Sequence, residues 1–172
     1  MALKEALIKL MRDKPVSRIT VKSICDEADV NRSTYYAHYT DQLDQLEKIE
    51  IEFIEDIERL LENTTRQDPV AIVTKIFDYI AQNRDLCRAL MSPNGDIAFE
   101  SKIIEFLRSS VFSMRRGEDP KLFSVEDYVY TYTLSGGVGL VKKWLADDSG
   151  AMSSAAMANL MLGLAKSLDG VF

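Results

Sequence analysis

The chain has 172 residues, 47% of them hydrophobic and 28% charged, which fits one sizeable core or a small head on a larger helical body and excludes a disordered chain. Its longest weakly charged run, "YVYTYTLSGGVGLV", is too short and too rich in Gly, Thr and Ser for a membrane span, and the N-terminus lacks a secretory pattern, so a cytoplasmic protein with no membrane partner is expected. A net charge of −6 argues against a nucleic-acid partner for the chain as a whole, yet residues 1–40 carry seven Lys or Arg against five Asp or Glu, and residues 41–172 fourteen against twenty-two.

Helical spacing runs through nearly the whole sequence and no segment reads as a strand. Leu3, Leu7, Leu10 and Met11 form the stripe of a first helix, which stops at Asp13, Lys14 and Pro15. Thr20 caps a second, two-turn helix with apolar positions Val21, Ile24, Cys25 and Ala28. Asp29 stands where a tight turn needs left-handed backbone, and Asn31 or Arg32 opens a third helix predicted to reach Tyr39. A long fourth helix runs from Asp41 to about Asn63, with Leu46, Ile49, Phe53, Ile57 and Leu60 on one face and almost only charge on the other. Asp68 and Pro69 start a fifth helix with the stripe Ile72, Ile76 and Ile80, and "NRDLCRALM" gives a short sixth ended by "SPNGD". Asp96 caps a seventh helix carrying Ile97, Ile103, Ile104, Leu107, Val111 and Met114. Ser124 and Asp127 open an eighth, which runs through Leu145 to a break at "DDSG", and a ninth fills residues 154–168. The expected fold is therefore all-α, about nine helices: a three-helix helix-turn-helix domain in residues 1–45 and a helical bundle in residues 46–172.

No constellation here supports catalysis. Cys25 and Cys87 form no CxxC pair and read as buried free thiols, no metal-ligand spacing occurs, and the lone His38 has no nucleophile and partner acid beside it. "GGVG" at residues 136–139 follows no strand, so it is not a phosphate loop. Neither an enzyme nor a cofactor is expected.

The segment "TVKSICDEADVNRSTYYAHYTD", residues 20–41, holds the chain's only histidine and three of its seven tyrosines. A helix there turns Arg32, Ser33 and Tyr36 outward and Tyr35 inward, presenting a guanidinium and short polar groups of the kind that reach phosphates and base edges; the same spacing also suits a tyrosine-rich packing helix. In spacing and residue type, residues 3–46 resemble the DNA-binding domain of the TetR family of bacterial transcription regulators. The segments "NRDLCRALMSPNGDIAF" and "GGVGLVKKWLADDSG" are similar to the branch that includes the dihydroxyacetone kinase regulator. The resemblance implies that Thr20 and Lys22 lie near phosphates, that Asn31, Arg32, Ser33 and Thr34 face the groove, and that Tyr36 and His38 contact the DNA backbone. Three features depart from the family pattern. The chain starts almost inside its first helix, Asp29 replaces a common turn glycine, and Gln42 replaces a common lysine, so salt-dependent binding is expected.

In the body, Val129, Tyr132, Gly136 and Gly139 fall on one helical face, and glycines that each cost about 1 kcal/mol against alanine in a helix need a packing reason. The resemblance makes this face a homodimer interface; packing within the monomer is the alternative. Met91, Phe99, Phe106, Phe112, Tyr128 and Trp144 are candidates to line an effector cavity, although no spacing identifies whether the effector is a small molecule or a protein. The expected function is a homodimeric regulator that binds a near-palindromic double-stranded operator under effector control. The alternative is a helical ligand- or protein-interaction module that has lost DNA binding.

Overall fold

The computed structural model describes residues 2–62, 69–114 and 125–168, and every regular element among them is helical. They are α1 (Ala2–Leu10), a 3-10 turn (Val16–Arg18), α2 (Val21–Ala28), α3 (Arg32–Tyr36), α4 (Gln42–Glu62), α5 (Pro69–Gln82), α6 (Arg84–Leu90), α7 (Phe99–Met114), α8 (Val125–Ala146) and α9 (Ser154–Leu168). Asp68 and Ser124 lie outside the described residues, as do the side chains of Phe112 and Asp127.

Two compact units divide the chain, one of residues 1–59 with 83–99 and the other of residues 60–82 with 100–172. In the first, α1 packs on α2 and α6, and α2 on α3. Its core holds Leu7, Met11, Ile24, Tyr35, Ile49, Phe53, Leu90 and Phe99, with the Phe53 and Phe99 rings packed edge-on at 5.8 Å. The loop after α6 returns to the loop after α1: Val16 N–H donates to Asn94 O at 2.8 Å, and Asn94 Nδ2 donates to Met11 O at 2.9 Å. Gly95 allows this close approach, because a Cβ there would lie 3.1 Å from Ala89 O and 3.4 Å from Met11 Cε. The 3-10 turn, held by these distant partners, has no periodic signature in the sequence.

α4 carries the expected buried face, but that face is not all apolar. Gln45 and Glu50 are buried, since Glu50 falls four residues after Leu46 and three before Phe53 and so shares their side of the helix. Gln45 Nε2 donates to Leu3 O at 2.7 Å, which ties α4 to the start of α1.

In the second unit α5 and α8 pack on α9. Phe77 meets Trp144 edge-on at 5.3 Å, and the Trp144 indole N–H donates to Met152 O at 2.9 Å, closing the turn between α8 and α9. The tight glycine is Gly137, where a Cβ would sit 3.0 Å from Met161 Cε of α9.

Two boundaries differ from expectation. α3 ends at Tyr36 rather than Tyr39, because the chain leaves the helix through Ala37 and His38 to reach the cap of α4. α7 begins at Phe99, and Asp96 instead makes an Asx turn by accepting from Ala98 N–H at 2.8 Å. Ile97 therefore lies ahead of the helix and is 89% exposed, outside the apolar stripe. Both cysteines are buried and free, and burial pushes the Cys87 thiol up to about 12.

Candidate nucleic-acid interface

Two capped helices and the turn between them build the candidate face. Thr20 Oγ1 accepts from Ser23 N–H at 3.1 Å, while Ser23 Oγ accepts from Thr20 N–H at 3.2 Å, a reciprocal capping box that starts α2. At the other end Asp29 takes the left-handed conformation, φ 53° and ψ 46°, and its short polar side chain tolerates what a branched residue would resist. Val30 N–H then donates to Cys25 O at 3.0 Å and aims the chain into α3.

Asn31 caps α3. Its Oδ1 accepts from Thr34 N–H at 2.8 Å, and the Ser33 and Thr34 hydroxyls lie 2.6 and 2.9 Å from the same oxygen. Tyr35 points into the core and burial raises its hydroxyl above the usual phenol range. Its ring supports Tyr36, edge-on at 5.6 Å, and Tyr39 at 5.5 Å. Tyr36 is itself exposed, as are Thr20, Lys22, Asn31, Arg32, Ser33, Thr34 and His38, so all eight expected DNA-contacting residues reach the surface of α2, α3 and the adjoining turn.

Lys48 was not singled out from the sequence, yet it holds the far end of this face. Its ammonium donates to His38 O at 2.9 Å and to Asp44 Oδ2 at 3.1 Å, and lies 5.4 Å from the centre of the Tyr39 ring. The i,i+4 spacing of Asp44 and Lys48 was the available signal. Asp44 also accepts from Thr40 N–H at 2.8 Å, and that bond, followed by Lys48, holds its carboxyl below the usual carboxylate range. A depressed folded pKa contributes stability that is complete above the ordinary value of 3.8 and is lost as pH falls through the lower folded value. The Thr40 amide proton resonance is thus expected to titrate with Asp44 at a midpoint below the ordinary value of 3.8, and a midpoint at or above that value would contradict the bond.

Much of the head's positive charge is already paired. Lys4, Lys9 and Arg12 bridge to Glu52, Glu27 and Asp85, and Lys22 is 4.0 Å from Asp26. Among the described residues, Lys14, Arg18 and Arg32 have no carboxylate within ion-pair reach. Arg18 immediately precedes Ile19 and the Thr20 cap, and Arg32 is the first residue of α3.

The residues assigned to a dimer face do share one exposed side of α8: Tyr132 is 69% exposed, Val129 is half-buried, and a Cβ at Gly136 or Gly139 would meet no atom within 4 Å. On α9, which packs on α8, Leu160, Gly163 and Leu164 are also exposed.

The candidate effector-pocket residues are divided between the two units, and the side chain of Phe112 lies outside those described. Met91 and Phe99 belong to the first unit, where Phe99 is fully buried against Phe53. In the second unit Phe106 is half-buried, Tyr128 is 68% exposed, and Trp144 packs on Phe77. Trp144 does line a cleft of about 400 Å³ at the α8–α9 turn, with Leu140, Lys143, Met152, Met157 and Leu160.

Comparison with known proteins agrees with this architecture. No curated protein matches the chain in sequence. Among solved structures, a TetR transcriptional regulator from Streptococcus agalactiae 2603V is similar at 26% identity with a TM-score of 0.65, covering 95% of this chain and 91% of its own. The dihydroxyacetone kinase operon activator DhaS shares the fold at 16% identity and a TM-score of 0.64, covering 99% and 96%. FadR from Bacillus subtilis, solved in complex with stearoyl-CoA, shares it at 19% identity and 0.62, covering 96% of each chain. A family model named TetR_C_8, described as a transcriptional regulator C-terminal region, matches residues 67–167. With more than half of its length accounted for in this way, the chain belongs to the TetR family of transcriptional regulators.

Proposed function

We propose that this regulator binds a near-palindromic operator as a homodimer and that an effector, a small molecule or a protein, alters its DNA affinity. In this reading residues 1–45 are the DNA-binding head, and residues 46–172 carry effector binding and dimerisation. Arg32 is the observation that carries it: a guanidinium exposed at the first position of α3, without a carboxylate partner among the described residues, in a helix capped by Asn31 and followed by a turn pinned through Lys48. An unpaired arginine on a capped helix can bind guanine O6 and N7 with two hydrogen bonds. Lys22, Tyr36 and His38 hold phosphates in this reading, while the exposed faces of α8 and α9 form the dimer contact.

In this reading α4 carries the effector's signal, because Asp44 and Lys48 hold the end of the reading head while Leu60 to Glu62 belong to the second unit. A tenfold change in operator affinity needs only about 1.4 kcal/mol of coupling.

The test is fluorescence anisotropy with the gene's own upstream DNA at two salt concentrations. Arg32→Ala should cost about 1–3 kcal/mol and relax base preference at one position of each half-site, whereas Tyr36→Phe and His38→Ala should weaken all sequences alike. The head's paired cations and the acidic body favour a second reading, an interaction module without DNA affinity. Failure of the wild type to bind any duplex at low salt would establish that second reading over the first.

A further inference from the structure

Three hydrogens converge on one oxygen at the start of α3. The Thr34 backbone N–H can only donate, so the Asn31 atom 2.8 Å from it is the amide oxygen, not the amide nitrogen. An amide oxygen only accepts. The Ser33 and Thr34 hydroxyls, 2.6 and 2.9 Å from that atom, therefore both donate to it. Each hydroxyl has a single hydrogen, and with it engaged the group presents only lone pairs to an approaching ligand. Phosphate oxygens are acceptors as well, so in this state neither hydroxyl can hold the DNA backbone.

Asn31 is constrained in the same way. Two-bond recognition of adenine needs the amide oxygen to accept from N6 while the amide nitrogen donates to N7, and here the oxygen already serves three donors. Arg32, by contrast, is donor-only and exposed.

We infer that Asn31 is a positioning residue rather than a base reader: by holding both hydroxyl hydrogens it makes Ser33 and Thr34 acceptors for base amino groups, cytosine N4 or adenine N6, and leaves guanine acceptors to Arg32. This rests on the DNA-binding reading above and adds a polarity to each group in it.

The experiment is selection by the full-length protein from a duplex library with randomised half-sites, followed by competition binding at each base position. Asn31→Asp keeps the capping oxygen and removes the amide hydrogens, and Asn31→Ser caps without adding charge. Asn31→Asp should select the wild-type motif, binding more weakly at low salt because of the added carboxylate. Asn31→Ser keeps the helix cap but, with its oxygen one bond shorter, should release the Ser33 and Thr34 hydroxyls and lose discrimination at the positions facing them. Asn31→Ala releases the two hydroxyl hydrogens, so discrimination at the positions facing Ser33 and Thr34 should fall about tenfold while the guanine read by Arg32 is retained. A merely structural role for Asn31 would lower affinity without changing the motif, and an unaltered motif in Asn31→Ala would overturn the inference. Loss of an adenine preference in Asn31→Asp would do so as well, by making Asn31 the reader. A wild type that binds the library without any base preference overturns the inference while leaving DNA binding in place; a wild type that binds no duplex overturns both.

Discussion

Gly136→Leu is expected to give a folded monomer whose affinity for a palindromic operator is lower by about 10²–10⁴-fold, with Gly139→Leu behaving alike. Among the described residues of one chain, a Cβ at either position would meet no atom within 4 Å. Replacing glycine by leucine in a helix should even favour α8 by up to about 1 kcal/mol. A partner helix laid along Val129, Tyr132, Gly136 and Gly139 would meet the new side chains and be held away. Two heads can engage two half-sites one helical turn of DNA apart only when they are joined, so a monomer loses the second head's effective concentration. Light scattering reports the state of assembly, circular dichroism the fold, and anisotropy the operator affinity. Gly137→Leu is the contrast: its Cβ would sit 3.0 Å from Met161 Cε, so it should disturb packing within the monomer. A wild type that is monomeric at micromolar concentration would rule out the dimer model.

Phe53→Ala should destabilise the first unit by about 3–5 kcal/mol, a large part of the stability of a domain of this size. The ring is only 2% exposed and meets Phe99 edge-on at 5.8 Å, so its removal loses both the transfer of an aromatic side chain out of water and the packing around the cavity left behind. Followed by circular dichroism, the urea midpoint should fall by about 1–3 M. Trp144, the single tryptophan, belongs to the second unit and gives a separate fluorescence signal for it. Ile51→Ala, at a half-exposed position of the same helix, should change stability by no more than about 0.5 kcal/mol. Equal losses in the two variants would show that the buried face of α4 does not hold the unit together.

What the sequence determined by itself is local or periodic. Thr20 three residues before Ser23 marks a capped start, and Asp29 between two short helical patterns marks left-handed backbone; both depend on atoms within a few residues of one another. The buried stripe Leu46, Ile49, Phe53 and Ile57 follows from the turn of the helix alone. So does the outward direction of Arg32 and Tyr36 beside an inward Tyr35. Tertiary structure decided what depends on partners far away in the chain. Residues 83–99 join the first unit because Asn94 satisfies Val16 N–H and Met11 O, and Phe99 packs there on Phe53. Among the glycines of α8, only the approach of Met161 separates Gly137, which closes the monomer, from Gly136 and Gly139, which remain open. The polarity of Ser33 and Thr34 also waits on geometry, because residue type supplies a hydroxyl that can donate or accept, and only the position of Asn31 Oδ1 settles which it does.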